Sequence, residues 1–163
     1  PSETGLYRDA LAASQHLEKA LGVPGTDQVL LGESIGSAVA VDLATRRPFR
    51  AMVLYSAIPS VPRVFRDLLA KTAGLPTDFS SDGWIRQRYD SMAKAPALTL
   101  PLLMVHGGQD GLAAESSARE LFQAFGGRGK RYVALPSAGH NDVFTPGNAE
   151  RTILPAIAEL LAG

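Results

Sequence analysis

The run Ala51-Met52-Val53-Leu54-Tyr55 is apolar or aromatic at every position. A strand with one solvated face alternates apolar and polar residues, so a run without alternation belongs to a strand covered on both faces, the setting of a parallel sheet. Three further short runs bounded by turn residues, Gln28 to Leu31, Leu102 to Val105 and Arg131 to Leu135, have the length of strands. The segments between them carry the helical period instead. Tyr7, Leu11, Ser14, Leu17 and Leu21 recur at spacings of 3 and 4, predicting a helix from about Leu6 to Leu21 that Gly22, Pro24 and Gly25 stop. An Ala/Val-rich stretch runs helically to about Thr45. Val61, Val64, Phe65, Leu68 and Leu69 form another helical face with Pro62 in its first turn. A weaker helical segment runs from Trp84 to Ala95, after a loop from Pro76 to Gly83. Helices are also expected from Ala114 to Phe125 and from Ala149 to Leu161. Strands alternating with helices give the α/β class, an open parallel sheet flanked by helices.

Composition narrows the function. The 163 residues form a single domain, residues 1–163, with 45% apolar residues, enough for a core without disulfides or a structural metal. Sixteen Lys+Arg balance 16 Asp+Glu, which removes the electrostatic reason for binding nucleic acid. The short basic clusters Arg46, Arg47, Arg50 and Arg128, Lys130, Arg131 read as solvated loops. Without cysteine there is no thiol nucleophile, zinc-thiolate site or redox dithiol. Ligand spacing for zinc is absent too, so neither metal nor cofactor is expected. No apolar run reaches the ~18–20 residues of a membrane span. Cysteine usage leaves the compartment undecided, with the cytoplasm favoured. The chain opens at Pro1 without an initiator Met or a signal pattern, so a missing upstream segment is expected.

The chemistry gathers at strand ends. Gly32-Glu33-Ser34-Ile35-Gly36 follows one expected strand and opens a helix. This is the setting of a nucleophile elbow, a sharp strand-to-helix turn that exposes a serine hydroxyl. The pattern alone arises by chance with a probability of roughly 0.1 in such a chain, so its context carries the weight. Of the three histidines, His16 lies on the first helix and reads as solvated surface. His106 ends a strand and reads as packing or strand-end hydrogen bonding. His140 lies in the loop after the last strand and is the candidate base. Asp110, beyond the third strand, is the candidate acid; taken alone it would be a turn or helix-capping residue. Asp142 is the rival acid, but two residues from His140 it is badly placed to reach the far ring nitrogen. Ligands of open α/β sheets collect at the carboxyl ends of strands, where Ser34, Asp110 and His140 all fall.

Three stretches, Val29 to Ser37, Pro101 to Asp110 and Pro136 to Val143, together resemble the α/β-hydrolase superfamily, and most of all its bacterial serine esterase and lysophospholipase-like branch. The resemblance implies Ser34 as nucleophile, Asp110 as acid, His140 as base and the Ile35 backbone N–H as an oxyanion donor, with no cofactor. It covers the C-terminal half of the fold only. About thirty residues precede Ser34, leaving no place for the family's N-terminal strands or for the loop that supplies its second oxyanion donor. A partial α/β-hydrolase fold lacking those strands is therefore expected, acting on a small-molecule carboxylic ester, with thioesters, lysophospholipids and amides behind it. Val61 to Leu69, Trp84, Val143 and Phe144 could wall an acyl pocket. The competing expectation is a catalytically poor, truncated module. In either case the Gln28 to Leu31 strand would be an open edge, so a homo-oligomer or a bound N-terminal half is expected as partner.

Overall fold

A computed structural model describes residues 2–74, 76 and 85–162. The four apolar runs form one parallel sheet in the order β1 (Val29–Glu33), β2 (Ala51–Tyr55), β3 (Leu102–Gly107), β4 (Lys130–Leu135). The helices are α1 (Glu3–Leu21), α2 (Ile35–Ala44), α3 (Val61–Ala73), α4 (Ser91–Lys94), α5 (Glu115–Ala124), the single turn α6 (Pro146–Asn148) and α7 (Leu154–Ala162). The expected open parallel sheet flanked by helices is thus the observed one. β2 and β3 are buried on both faces, which explains their lack of alternation. On one face Met52, Leu54, Leu102 and Met104 pack with Val41 of α2 and Leu121 of α5. On the other, Val53, Leu103 and Val105 pack with Ile153 and with Ala156 of α7. Each such large side chain contributes about 1.5–3 kcal/mol by leaving water.

Three expectations need correction. α1 begins at Glu3 rather than Leu6, because Ser2 caps it by accepting from the Gly5 N–H at 3.1 Å. Of the segment expected from Trp84 to Ala95, the described residues 85–95 are α-helical only over Ser91–Lys94, continued by a 3₁₀ turn over Ala95–Ala97. Tyr89 takes a positive φ of 47° and the Asp90 carboxylate caps Ala93 N–H at 3.0 Å, so the helix cannot start earlier; Trp84 and most of the Pro76 to Gly83 loop lie outside the described residues. The closing segment from Ala149 to Leu161 is not one regular α-helix. It passes through a π-helical turn over Ala149–Ile153 before α7. Pro155 has no N–H to give to a preceding carbonyl, and the widened turn accommodates that missing bond.

A buried polar network ties α1, α2 and α4 together. Asp42, with its side chain 5% exposed, accepts from Arg46 Nε at 2.6 Å and pairs with Lys94 Nζ at 2.9 Å. Lys94 also donates to the Tyr7 hydroxyl at 3.2 Å, which in turn donates to Glu3 at 2.8 Å. Burial alone would raise the Asp42 carboxyl; the hydrogen bonds and charges of Arg46 and Lys94 outweigh it and hold the group below its ordinary value. A depressed folded-state value adds stability above the unfolded-state value, and that stability is lost as pH falls through the folded one. Asp42→Asn is therefore expected to lower unfolding free energy by about 1–3 kcal/mol at pH 7. Urea denaturation should show the gap to wild type narrowing as pH drops below about 4.

Candidate active site

Ser34 sits between β1 and α2 at φ 50° and ψ −120°, outside both strand and helix geometry. For a residue with a Cβ such a conformation costs about 1–3 kcal/mol and persists only when its surroundings enforce it. The surroundings here do so. Its N–H donates to Tyr55 O at 3.2 Å, extending the β1–β2 ladder past the strand end. Its carbonyl accepts from the N–H of Ser37 at 3.0 Å and from the Ser37 hydroxyl at 2.5 Å. Ser37, fully buried, is itself held by the Ile58 N–H at 3.2 Å. A Cβ on Gly32 would lie 2.7 Å from Gly36 O and 2.8 Å from the Ser37 Cα, so this glycine is required for α2 to start where it does. Gly36 is not: nothing stands within 4 Å of its Cβ position.

The three chemistry-bearing residues named from the sequence converge. His140 lies 2.7 Å from Asp110 Oδ2 through Nδ1 and 2.9 Å from Ser34 Oγ through Nε2. A carboxylate only accepts, so Nδ1 carries the proton and Nε2 is left as the acceptor for the serine O–H. The Asp110 side chain is fully buried. Its Oδ1 accepts from the N–H groups of Leu112 at 2.9 Å and Ala113 at 2.8 Å, leaving Oδ2 for the imidazole. Asp110 is thus the turn residue that its position suggested, through Oδ1, while Oδ2 is left to face the imidazole. Asp142 does not reach the ring: its Oδ2 accepts from the Gly139 N–H at 3.0 Å and shapes the turn that carries His140.

Two supports gave no signal in the sequence. Ser56, fully buried at the end of β2 with φ 48°, donates from Oγ to the His140 carbonyl at 2.7 Å. Gly107 lets the loop after β3 lie against the loop after β4, since a Cβ there would sit 2.6 Å from Gly139 O. His16 is exposed on α1, and His106 is buried at the end of β3. Ile35, 42% exposed, opens α2, where backbone N–H groups have no intrahelical acceptor. Of the residues expected to wall an acyl pocket, Val143 belongs to the core under α7, and Val61 and Val64 pack on a cluster with Tyr7, Ile58 and Tyr89. Phe144 is exposed and lies against the Tyr55 ring, with centroids 5.4 Å apart. Burial raises the Tyr55 hydroxyl, and the charge of neighbouring Glu33 adds to the shift. Among the described residues no group of three or more His, Cys, Asp or Glu could hold a metal, and no helix is long and apolar enough to cross a membrane.

No family model matches the chain. It is 33% identical over 143 residues to the α/β hydrolase domain-containing protein aho-3 of Caenorhabditis elegans, an alignment covering 88% of this chain and 40% of that protein. The chain therefore spans less than half the length of this relative. Among solved structures, the esterase domain from a Rhodothermus marinus protein superposes with a TM-score of 0.69 at 24% identity, over 96% of this chain and 70% of that one. The monoacylglycerol lipase of Paleococcus ferrophilus gives a TM-score of 0.64 at 16% identity, over 96% of this chain and 75% of that one. Both structures share the fold and belong to chains longer than this one. By its parallel sheet, its serine turn between β1 and α2 and its likeness to such a relative over most of its residues, the chain belongs to the α/β-hydrolase superfamily.

Proposed function

We propose that this hydrolase is a serine hydrolase of carboxylic esters, with Ser34 as nucleophile, His140 as general base and Asp110 as the acid that orients it. The observation that carries the reading is the unbroken series from the Asp110 carboxylate through His140 to the Ser34 hydroxyl, at 2.7 and 2.9 Å. Ser34 Oγ attacks the ester carbonyl while His140 Nε2 takes its proton. The carbonyl π pair moves onto oxygen, and the Ile35 N–H donates to that oxyanion. Collapse expels the alcohol, which receives the proton from His140, and leaves acyl-Ser34. Water, activated by the same imidazole, then releases the acid. No cofactor takes part, and an aspartate nucleophile is incompatible with a serine at position 34. The esterase and lipase names of the structural neighbours support an ester over a thioester or amide.

A fluorophosphonate probe followed by intact-mass analysis tests this: one adduct at Ser34, together with turnover of a short p-nitrophenyl ester, is expected. A folded wild-type chain that neither captures the probe nor turns over ester would overturn it. The open edge of β1 favours a second reading, in which the chain acts chiefly by associating with a second copy or a complementary half.

A further inference from the structure

His106 is fully buried at the end of β3, and its Nδ1 has no hydrogen-bond partner. An apolar side chain of similar size would fill the same volume without leaving a polar atom unmet, so the imidazole is costly unless its other nitrogen contributes something. That nitrogen, Nε2, lies 3.0 Å from Ala113 O and 3.4 Å from Asp110 Oδ2. Both are acceptors, so Nε2 carries the proton and donates chiefly to the carbonyl. The geometry is an interlock. Ala113 donates its N–H to Asp110 Oδ1 at 2.8 Å and its C=O accepts a hydrogen bond from His106 Nε2–H, so one residue is gripped from both sides. The Asp110 N–H also donates to Gly107 O at 3.2 Å, closing the turn on the strand that carries His106.

We propose that His106 is a positioning residue for Asp110: by holding Ala113 it fixes the turn over residues 110–113 and keeps Asp110 Oδ2 on His140 Nδ1. This rests on the reading of Asp110 as the acid partner of His140. Without the Nε2 donor, the Ala113 carbonyl is left unpaired in a buried place and the turn relaxes. The carboxylate then loses its fixed distance to the imidazole, and small misplacements of catalytic groups are expensive in rate.

Glutamine places an amide N–H close to where the imidazole Nε2–H lies; asparagine is one methylene short of it. The test compares His106→Gln, His106→Asn and His106→Leu for kcat and KM on a p-nitrophenyl ester, and for the far-downfield proton resonance of a carboxylate-bound imidazole Nδ1–H. The expected result is kcat lower by roughly 10- to 100-fold in the Asn and Leu variants, KM nearly unchanged, and the downfield proton broadened or lost. The Gln variant should keep the resonance and stay within about fivefold of wild-type kcat. If His106→Leu does not fold, the Gln and Asn pair carries the comparison. Equal kcat and an equal downfield proton in those two variants, both folded, would overturn the proposal. Absence of probe capture by wild type would remove the hydrolase reading alone, because the resonance reports the Asp110–His140 contact without turnover.

Discussion

Ser34→Ala is expected to lower ester turnover by about 10⁶-fold, and Asp110→Asn to lower kcat by about 10⁴-fold, both without unfolding the chain. Alanine removes the proposed nucleophile and leaves the backbone bonds to Tyr55 and Ser37 in place. The asparagine case is decided by the other carboxylate oxygen. Oδ1 accepts two backbone N–H groups, from Leu112 and Ala113, so an amide must put its carbonyl there and turn its NH₂ toward His140. A donor facing Nδ1 drives the imidazole proton to Nε2, and a protonated Nε2 cannot accept from the serine. Steady-state kinetics with a thermal melt on each variant checks this. Asp142→Asn should stay within several-fold of wild type, since its carbonyl can still accept from the Gly139 N–H. Full activity in Asp110→Asn with loss in Asp142→Asn would reverse the choice of acid.

The sheet was legible because a buried parallel strand imposes a local signature: Ala51 to Tyr55 cannot alternate when both faces are covered. Ser34, Asp110 and His140 could be placed as candidates because each follows a short run bounded by turn residues and read as a strand, so locating the strands located them. The supports could not be. Ser56 and His140 are 84 residues apart, and nothing in the residues around Ser56 announces a positive φ or a bond to a distant carbonyl. The capping of its own turn by Asp110 is a familiar local pattern that by itself argued against the proposed acid role; the position of the second oxygen, on His140, is what the sequence could not show. Helix ends were misplaced where a single side chain or ring decides them: Ser2 at α1, Asp90 at α4 and Pro155 before α7. The two motif glycines look alike in sequence, and only packing separates Gly32, which is required, from Gly36, which is not.

The isolated chain is expected to self-associate through β1, and Leu31→Lys to abolish that association. β1 is an outer strand of the sheet. The bonds from Ser34 N–H to Tyr55 O and from Arg50 N–H to Gln28 O place the even-numbered peptide groups toward β2, so those of Val29, Leu31 and Glu33 face away from it. Unpaired groups in a row are a template for another strand. Antiparallel pairing centred on Leu31 is self-complementary: Leu31 meets its own copy, Val29 meets Glu33 and Leu30 faces Gly32, where no side chain obstructs. The side chains favour it as well, for Leu31 is 56% and Val29 38% exposed. A groove of about 510 Å³ runs along the same edge, lined by Leu6, Ala10, Ala13, Leu30, Ile35 and Val39. Lysine at the centre would set two like charges against each other across the two-fold axis and remove the apolar contact, weakening association by roughly 100-fold or more, ~2.7 kcal/mol. Light scattering with intact mass measures the outcome. A dimer of the 17.2 kDa chain that becomes monomeric in Leu31→Lys is expected. A second, different polypeptide in the mass spectrum would assign the edge to a complementary half instead. A wild-type monomer that unfolds cooperatively would overturn the prediction, and would mean that the backbone groups of Val29, Leu31 and Glu33 are satisfied by water at no cost to a four-stranded sheet.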